Sequence, residues 1–232
     1  MTSDENKIGT SPFEKSYYWP LVVAYVVFQL ISDVTASKVI SIGPAVVSVT
    51  VLYFPFTYII ADVLTEVYGF ARARSALWLV VGASITAGIV YQVVVALPPG
   101  PGFGANEAYR QVFGAVPRIL VGGWLAVFVG DYLNDLVMSK MKIWTNGRAL
   151  WARTIGSTVV GEGANTAIFY TIGLMGVLPT NILLQAILWG WAIKVAVEAV
   201  FTPMTYLIVN KIKVHEGLDK FDLGENYSPF RF

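Results

Sequence analysis

The fold turns on the stretch from Val51 to Arg74, VLYFPFTYIIADVLTEVYGFARAR. It is apolar except where Asp62 and Glu66 interrupt it, it carries Pro55 near its start, and it closes on Gly69 and the arginines Arg72 and Arg74. Residues four apart lie one above another on a helix, so Tyr58, Asp62 and Glu66 share one face. An ionisable side chain in the middle of a spanning helix costs about 2.5–3.5 kcal/mol by insertion scales, which keeps such groups away from lipid. That face therefore looks into a helix bundle or a water-filled cavity. Pro55 removes a backbone donor, and the reading predicts a kink in the helix there.

Working outward, the composition agrees with a membrane setting. Of 232 residues, 56% are hydrophobic and 13% charged, against about 25% charged in an average soluble domain. The chain reads as an all-α integral membrane protein. Its formal net charge of +1 provides no basic footprint for a phosphate backbone, so nucleic acid is not an expected partner. There is no cysteine, and the single histidine, His215, sits in the polar tail. Disulfides, thiolate metal sites and an imidazole relay are thereby excluded, and no metal or cofactor is expected. No phosphate-binding loop of the Walker type occurs, so the chain is not expected to hydrolyse ATP itself. The polar start lacks the pattern of a cleaved signal peptide, and the first apolar helix is expected to stay in the mature protein.

A bilayer crossing takes about 20 apolar residues. Six such stretches are expected: Tyr17 to Ser37, Pro44 to Tyr68, Ser75 to Leu97, Phe113 to Met138, Trp151 to Val177 and Asn181 to Val209. Residues 1–16 form a polar leader, 17–210 the transmembrane domain and 211–232 a polar tail. Pro98 to Gly104 is too rich in Pro and Gly to be helical, and Leu178-Pro179-Thr180 reads as a tight hairpin with Thr180 or Asn181 as helix cap. Lys7, Lys15, Arg72, Arg74, Lys140, Lys142, Arg148, Arg153, Lys211, Lys213, Lys220 and Arg231 fall on one side, and Lys38, Arg110 and Arg118 on the other. The positive-inside rule then puts both termini in the cytoplasm. A faint echo of Leu30-Ile31-Ser32-Asp33-Val34 in Phe128-Val129-Gly130-Asp131-Tyr132 would suit a three-plus-three pseudo-repeat.

At about 1.5 Å per residue, the polar residues inside these spans fall at similar depths. Asp62, Glu66, Asp131, Asn134 and Asp135 lie in the inner half, while Gln29, Glu162, Asn165, Lys194 and Glu198 lie near the middle. Asp33, Lys38, Gln92 and Arg118 lie toward the outer side and suit an entrance. Glu66 at a solvated helix end beside Arg72, and Asp135 paired with Lys140, are the plain structural alternatives for those two. Glu162 stands between Gly161 and Gly163, small residues that admit a second helix or a flat ligand. Lys194 and Glu198 are four apart and form either a buried ion pair or a coupling site. Acids outnumber Lys194 at this depth, so at least one carboxyl is expected to be protonated or to meet a donor-rich ligand. Tyr17, Tyr18, Trp19, Trp144 and Trp151 suit an interfacial belt. Trp189, Trp191, Phe54, Phe56 and Tyr58 lie deeper, where some could stack on a planar ligand. Gly82, Ala83 and Gly88 serve either a homodimer or internal packing.

The run Phe54-Pro55-Phe56-Thr57-Tyr58 through Asp62-Val63-Leu64-Thr65-Glu66-Val67-Tyr68-Gly69, with Ser37-Lys38 before it, resembles the queuosine precursor transporter family, also described as a vitamin uptake transporter family. Gly130-Asp131 through Lys140, Trp151-Ala152-Arg153 and Gly161-Glu162 extend the likeness, which covers most of Ser32 to Asn210. The resemblance implies a six-helix protein of the bacterial inner membrane. It would import deazaguanine bases, the cyano and aminomethyl precursors of a modified tRNA nucleoside. It implies no enzyme activity. A base of this kind suits a carboxylate on its donor edge and Asn, Gln or Lys at its oxygen. The substrate-binding candidates are Asp62, Glu66, Asp131, Asn134, Glu162, Asn165, Lys194, Gln29 and Tyr58. Asp62, Asp131 or Glu162 takes the donor edge, and Asn134, Asn165, Gln29 and Lys194 take the oxygen or ring nitrogens. Glu198 and Lys194 are the coupling or ion-pair candidates.

A secondary carrier leads this reading. The alternatives are a substrate-binding subunit served by a separate ATPase and an intramembrane aspartyl protease. The protease pattern wants Gly two residues before Gly130, where Phe128 stands.

Overall fold

A computed structural model describes residues 16–36, 38–43, 45–114, 117–176 and 179–231. The leader up to Lys15 and the residues Ser37, Pro44 and Leu178 lie outside the described residues. The chain is mostly helical: α1 (Tyr18–Thr35), α2 (Pro55–Tyr68), α3 (Phe70–Ala96), α4 (Asn106–Phe113), α5 (Pro117–Trp144), α6 (Leu150–Phe169) and α7 (Thr180–Glu216). By length and composition, α1, α3, α7 and the stretch Asn106–Trp144 that contains α5 are long and apolar enough to cross a membrane. Their outward faces carry bare apolar side chains such as Val93, Val200 and Leu207. Lipid is the environment that makes such faces favourable. The protein is a multi-pass membrane protein.

The expected span from Pro44 to Tyr68 is not one helix. Its first part is an antiparallel hairpin, β1 (Val39–Ile42) with β2 (Ala45–Ser48), paired in the register Ile40 to Val47. A 3-10 turn, Val49–Leu52, follows. Only then does α2 begin, with Pro55 in its first turn. There the missing N–H of proline would have had no partner, so Pro55 starts a helix and does not kink one. With 14 residues, α2 is about 21 Å long, too short for a hydrocarbon core of about 30 Å.

Other boundaries differ from the sequence reading in smaller ways. The helix α3 begins at Phe70, immediately after Gly69, and α5 continues to Trp144. Pro179 precedes α7, and Thr180 is already its first residue, so neither Thr180 nor Asn181 is its cap. The helix α7 runs on to Glu216, and a π-helical turn, Tyr170–Leu174, ends α6. Pro98 to Gly104 is exposed and non-helical, as its composition predicts, but α4 forms just beyond it.

The core surrounds α2. Every residue from Phe54 to Phe70 except Phe56 is buried. Leu64 and Val67 are fully enclosed in a cluster with Val22 and Tyr25 of α1, Leu77 and Val80 of α3, Met138 of α5 and Val209 of α7. Gly69 makes the sharp joint between α2 and α3 with φ of 84°, a conformation that side chains disfavour. A Cβ there would also stand 2.6 Å from Asp222 Oδ1. The segment after α7 packs against this joint: Asp222 accepts from the Phe70 N–H at 3.0 Å, and Trp78 Nε1 donates to the Pro229 carbonyl at 2.8 Å.

The helices α5 and α6 meet through glycines. A Cβ on Gly130 would lie 2.6 Å from Asn165 Cβ, and one on Gly161 would lie 2.8 Å from Asn134 Cβ and from the Gly130 carbonyl oxygen. This close approach carries Asp131, Asn134, Glu162 and Asn165 to one level. Gly88 lies under the Trp124 ring, while nothing stands near Gly82. Gly161→Val is expected to destabilise the protein by roughly 1–3 kcal/mol through overpacking, read as a lower melting temperature in detergent. Gly82→Val should leave that temperature unchanged.

Candidate functional site

At the hairpin end a cleft opens between α1, the hairpin, α5, α6 and α7. It encloses about 640 Å³ of atom-free space, its open mouth included. Gln29, Ser32 and Asp33 of α1 line one side, Phe54 and the 3-10 turn the floor, and Asn165, Thr166 and Lys194 the far side. Of the candidates read from the sequence, Gln29, Asn165 and Lys194 are brought together at this cleft.

The ammonium of Lys194 organises the far side. It donates to Glu162 Oε2 at 2.8 Å, lies 3.4 Å from both Asn165 Oδ1 and Thr166 Oγ1, and sits 4.6 Å from the centre of the Phe54 ring. An ammonium over an aromatic face is attracted by its quadrupole, so Phe54 helps hold the charge where water is scarce. Of the two alternatives for Lys194 and Glu198, the ion pair is not formed; Lys194 pairs with Glu162 across the α6–α7 contact. Both Glu198 carboxylate oxygens are buried without a hydrogen-bond partner among the described residues. Glu198 interacts electrostatically with Asp62 and Glu162.

Beneath the cleft lies a second polar layer. Asn134 Nδ2 donates to Asp62 Oδ1 at 2.7 Å, and the Ser157 hydroxyl reaches the same oxygen at 3.4 Å. The Tyr25 hydroxyl donates to Asp131 Oδ2. The Thr65 hydroxyl donates to Asp135 Oδ1 at 2.7 Å, so Asp135 is not the surface partner of Lys140. The Tyr58 hydroxyl is buried beside Gly130, adjacent to Asp131. One oxygen each of Asp62, Asp131 and Glu162 has no hydrogen-bond partner among the described residues. A buried acceptor without a donor costs about 1–3 kcal/mol, so these oxygens mark places where a proton, water or ligand donor is accommodated. Asp62 and Asp131 bind different partners, Asn134 and Tyr25, which does not favour a shared-proton pair of the protease kind.

Glu66 belongs to neither layer. It lies at the opposite end of α2, fully buried, where Arg153 grips it in a fork: Nη2 to Oε1 at 2.9 Å and Nε to Oε2 at 3.2 Å. Lys213 reaches Oε1 at 2.6 Å, and Lys142 lies 3.6 Å from it. Asp219 of the C-terminal segment joins the cluster, 2.6 Å from Lys142 and 2.9 Å from Lys213. The sequence reading treated Arg153 as a loop cation and did not see it as the partner of Glu66. Asp33, expected only at an entrance, lines the cleft itself, and Tyr25 and Ser84 were not among the candidates. Asp33 had a signal, since it lies four residues after Gln29 on α1 and so shares its face.

The arrangement is that of a polytopic membrane protein with a polar cleft and buried ionisable side chains in its bundle. The chain belongs to the family described as "Putative vitamin uptake transporter", whose model matches residues 48–208. A curated protein of Bacillus subtilis (strain 168), named "Probable queuosine precursor transporter", is 34% identical over 146 residues. That match takes in 62% of this chain and 64% of the relative, so less than two thirds of the relative's length is spanned. No solved structure matches the chain.

Two expectations follow for the Glu66 cluster. Arg153→Gln removes the forked partner of Glu66 but leaves Lys213 and Lys142 beside it, so it should cost less than the about 3–5 kcal/mol of a fully broken buried pair. Glu66→Gln strands the buried Arg153, while Lys142 and Lys213 keep Asp219, and should cost more; unfolding of both single variants and the double variant in detergent checks the order and the coupling. Asp219 lies beyond α7. Partial burial pushes its carboxyl up, but hydrogen bonds and charge from Lys142 and Lys213 outweigh this and hold it below its ordinary value. A carboxyl held low in the fold adds stability above about pH 3.9 and loses it as pH falls through the folded value. The protection of amides 217–222, corrected for the intrinsic pH dependence of exchange, should therefore fall on acidification below about pH 4, and Asp219→Asn should show the lower protection at neutral pH.

Proposed function

We propose that this protein is an importer of queuosine precursors, 7-deazaguanine bases in their cyano and aminomethyl forms, in the bacterial inner membrane. The observation that carries the reading is the cleft in which Gln29, Asn165 and Lys194 meet above Phe54. Such a base is planar, offers adjacent N–H groups on one edge and presents a carbonyl oxygen next to them. Lys194 suits the oxygen, the Phe54 ring suits the flat face, and an amide at each wall can donate or accept. The family and the name of the Bacillus subtilis relative support the substrate class.

The carrier crosses the membrane six times, the second crossing made by the hairpin, the 3-10 turn and α2 together, with both termini in the cytoplasm. Supporting this, the start of α1 lies against the end of α7, where the Tyr17 N–H donates to Glu216 Oε1 at 2.6 Å. Arg74, Lys142, Arg153 and Lys213 gather at that same end, and basic residues favour the cytoplasmic side. The layer of Asp62, Asp131, Glu162 and Glu198 lies between the cleft and the basic cluster and supplies carboxyls for proton coupling in a secondary carrier. In this reading Tyr58 and Asn134 line the path together with that layer, and Glu66 clamps its inner end. A homodimer, if formed along α3, uses the open surface at Gly82.

The test is uptake of labelled deazaguanine precursor by cells that lack both their own carrier and the synthetic pathway. Saturable uptake by the wild type should fall at least about tenfold in Lys194→Met and in Glu162→Gln, the size of effect expected from removing one charged, desolvated contact, at equal protein levels. Wild-type uptake no better than empty vector, from well-folded protein, would refute the substrate assignment.

A further inference from the structure

We propose that the carboxylate of Asp33, steered by Gln29 and Ser84, reads the two-donor edge of the ligand and so decides which bases the cleft accepts. The inference rests on the transport reading above and names the residue that makes it selective. Asp62, Asp131 and Glu162, the acids that the sequence put forward for this role, do not line the cleft. Among the described residues Asp33 is the acid that does.

Its geometry is that of a prepared acceptor. Gln29 Nε2, one turn earlier on α1, donates to Oδ1 at 2.8 Å, and the Ser84 hydroxyl of α3 donates to Oδ2. Donors from two helices hold the carboxyl group in one orientation, as supporting contacts do in binding sites generally. An ionised carboxylate accepts about four hydrogen bonds, so two donors leave both oxygens with room for more. By giving its NH₂ group to Asp33, Gln29 leaves its own carbonyl oxygen over. That Oε1 atom is buried and has no hydrogen-bond partner among the described residues, with Gln29 only 2% exposed.

The α1 wall therefore presents acceptors, and the α7 wall presents the donor-only ammonium of Lys194. A ligand that suits both carries adjacent N–H groups on one edge and a carbonyl oxygen beside them. An amino-pyrimidinone ring has this pattern: its ring N–H and exocyclic amino group face the Asp33 oxygens as a bidentate pair. The same ring without the amino group leaves an acceptor of Asp33 or Gln29 unpaired in the cleft. A site built to hydrogen-bond an N–H rejects the analogue that lacks it for this reason.

The experiment is equilibrium binding to the purified full-length protein in detergent, with 7-deazaguanine and 7-deazahypoxanthine, which differ only by the amino group, as probes. The wild type should prefer 7-deazaguanine by about tenfold or more, in the range of one bidentate pair. Asp33→Asn keeps one acceptor and puts a donor in place of the other, so it should lose that preference by weakening the amino-bearing probe much more than its partner, whereas Lys194→Met should weaken both probes alike. If Asp33→Asn does not fold, Ser84→Ala, which removes one steering donor, should narrow the preference. A preference that survives in the folded variant overturns the role of Asp33 and leaves the transport reading standing. A wild type that binds neither probe overturns this inference, and uptake of the labelled precursor, measured separately, decides whether the transport reading stands.

Discussion

The constraint on which the structure depends is the burial of α2 on nearly all sides while it carries two carboxylates. A charged group taken out of water must be paired and hydrogen-bonded or its desolvation is not offset. Glu66 meets that demand in full and Asp62 only at one oxygen. Glu66 has Arg153, Lys213 and Lys142 around it, drawn from α6, α7 and α5. Asp62 has neutral donors, Asn134 and Ser157, from α5 and α6. One short helix thereby tells its neighbours how to sit. Arg153 can reach Glu66 only with α6 beside α2, and Asn134 can reach Asp62 only with α5 turned to present it.

The close contact of α5 and α6 follows the same logic. Gly130 and Gly161 let the two backbones approach, which membrane helices achieve through small residues because lipid provides no hydrophobic drive for association. The polar residues next to those glycines, Asp131 and Glu162, are carried inward by the same approach. The glycines and the carboxylates are thus one device: close packing sets the depth and direction of the acids, and Tyr25 and Lys194 hold one oxygen of each from α1 and α7.

The broken second span has a functional side. In place of a continuous helix from Pro44 to Tyr68, the hairpin and the 3-10 turn supply Val47, Ser48, Thr50 and Val51 to the cleft wall. Val47 and Val51 are packed against Ile193 of α7. Non-helical backbone at membrane depth is tolerated where protein covers it or a cavity adjoins it. The hairpin pairs its own backbone groups across β1 and β2. Phe54, at the point where α2 begins, is left facing both the cleft and Lys194.

Much of this was legible in the chain itself. Apolar length marked α1, α3, α5 and α7, and composition alone called for a membrane, because free energy of transfer adds up residue by residue along a helix. Spacing put Tyr58, Asp62 and Glu66 on one face, and the run of Pro and Gly after Leu97 could not be helical whatever lay near it. Partners were not legible. Nothing in the spacing of Lys194 and Glu198 says that Lys194 turns to Glu162 instead, nor that Arg153 leaves its loop for Glu66. Asp33 looked peripheral until α3 brought Ser84 to it. Local sequence sets periodicity, hydropathy and backbone limits, which are properties of neighbours along the chain. Pairing of buried charges and the shape of a cleft depend on residues tens of positions apart, and only the packing of the helices determines which of them meet.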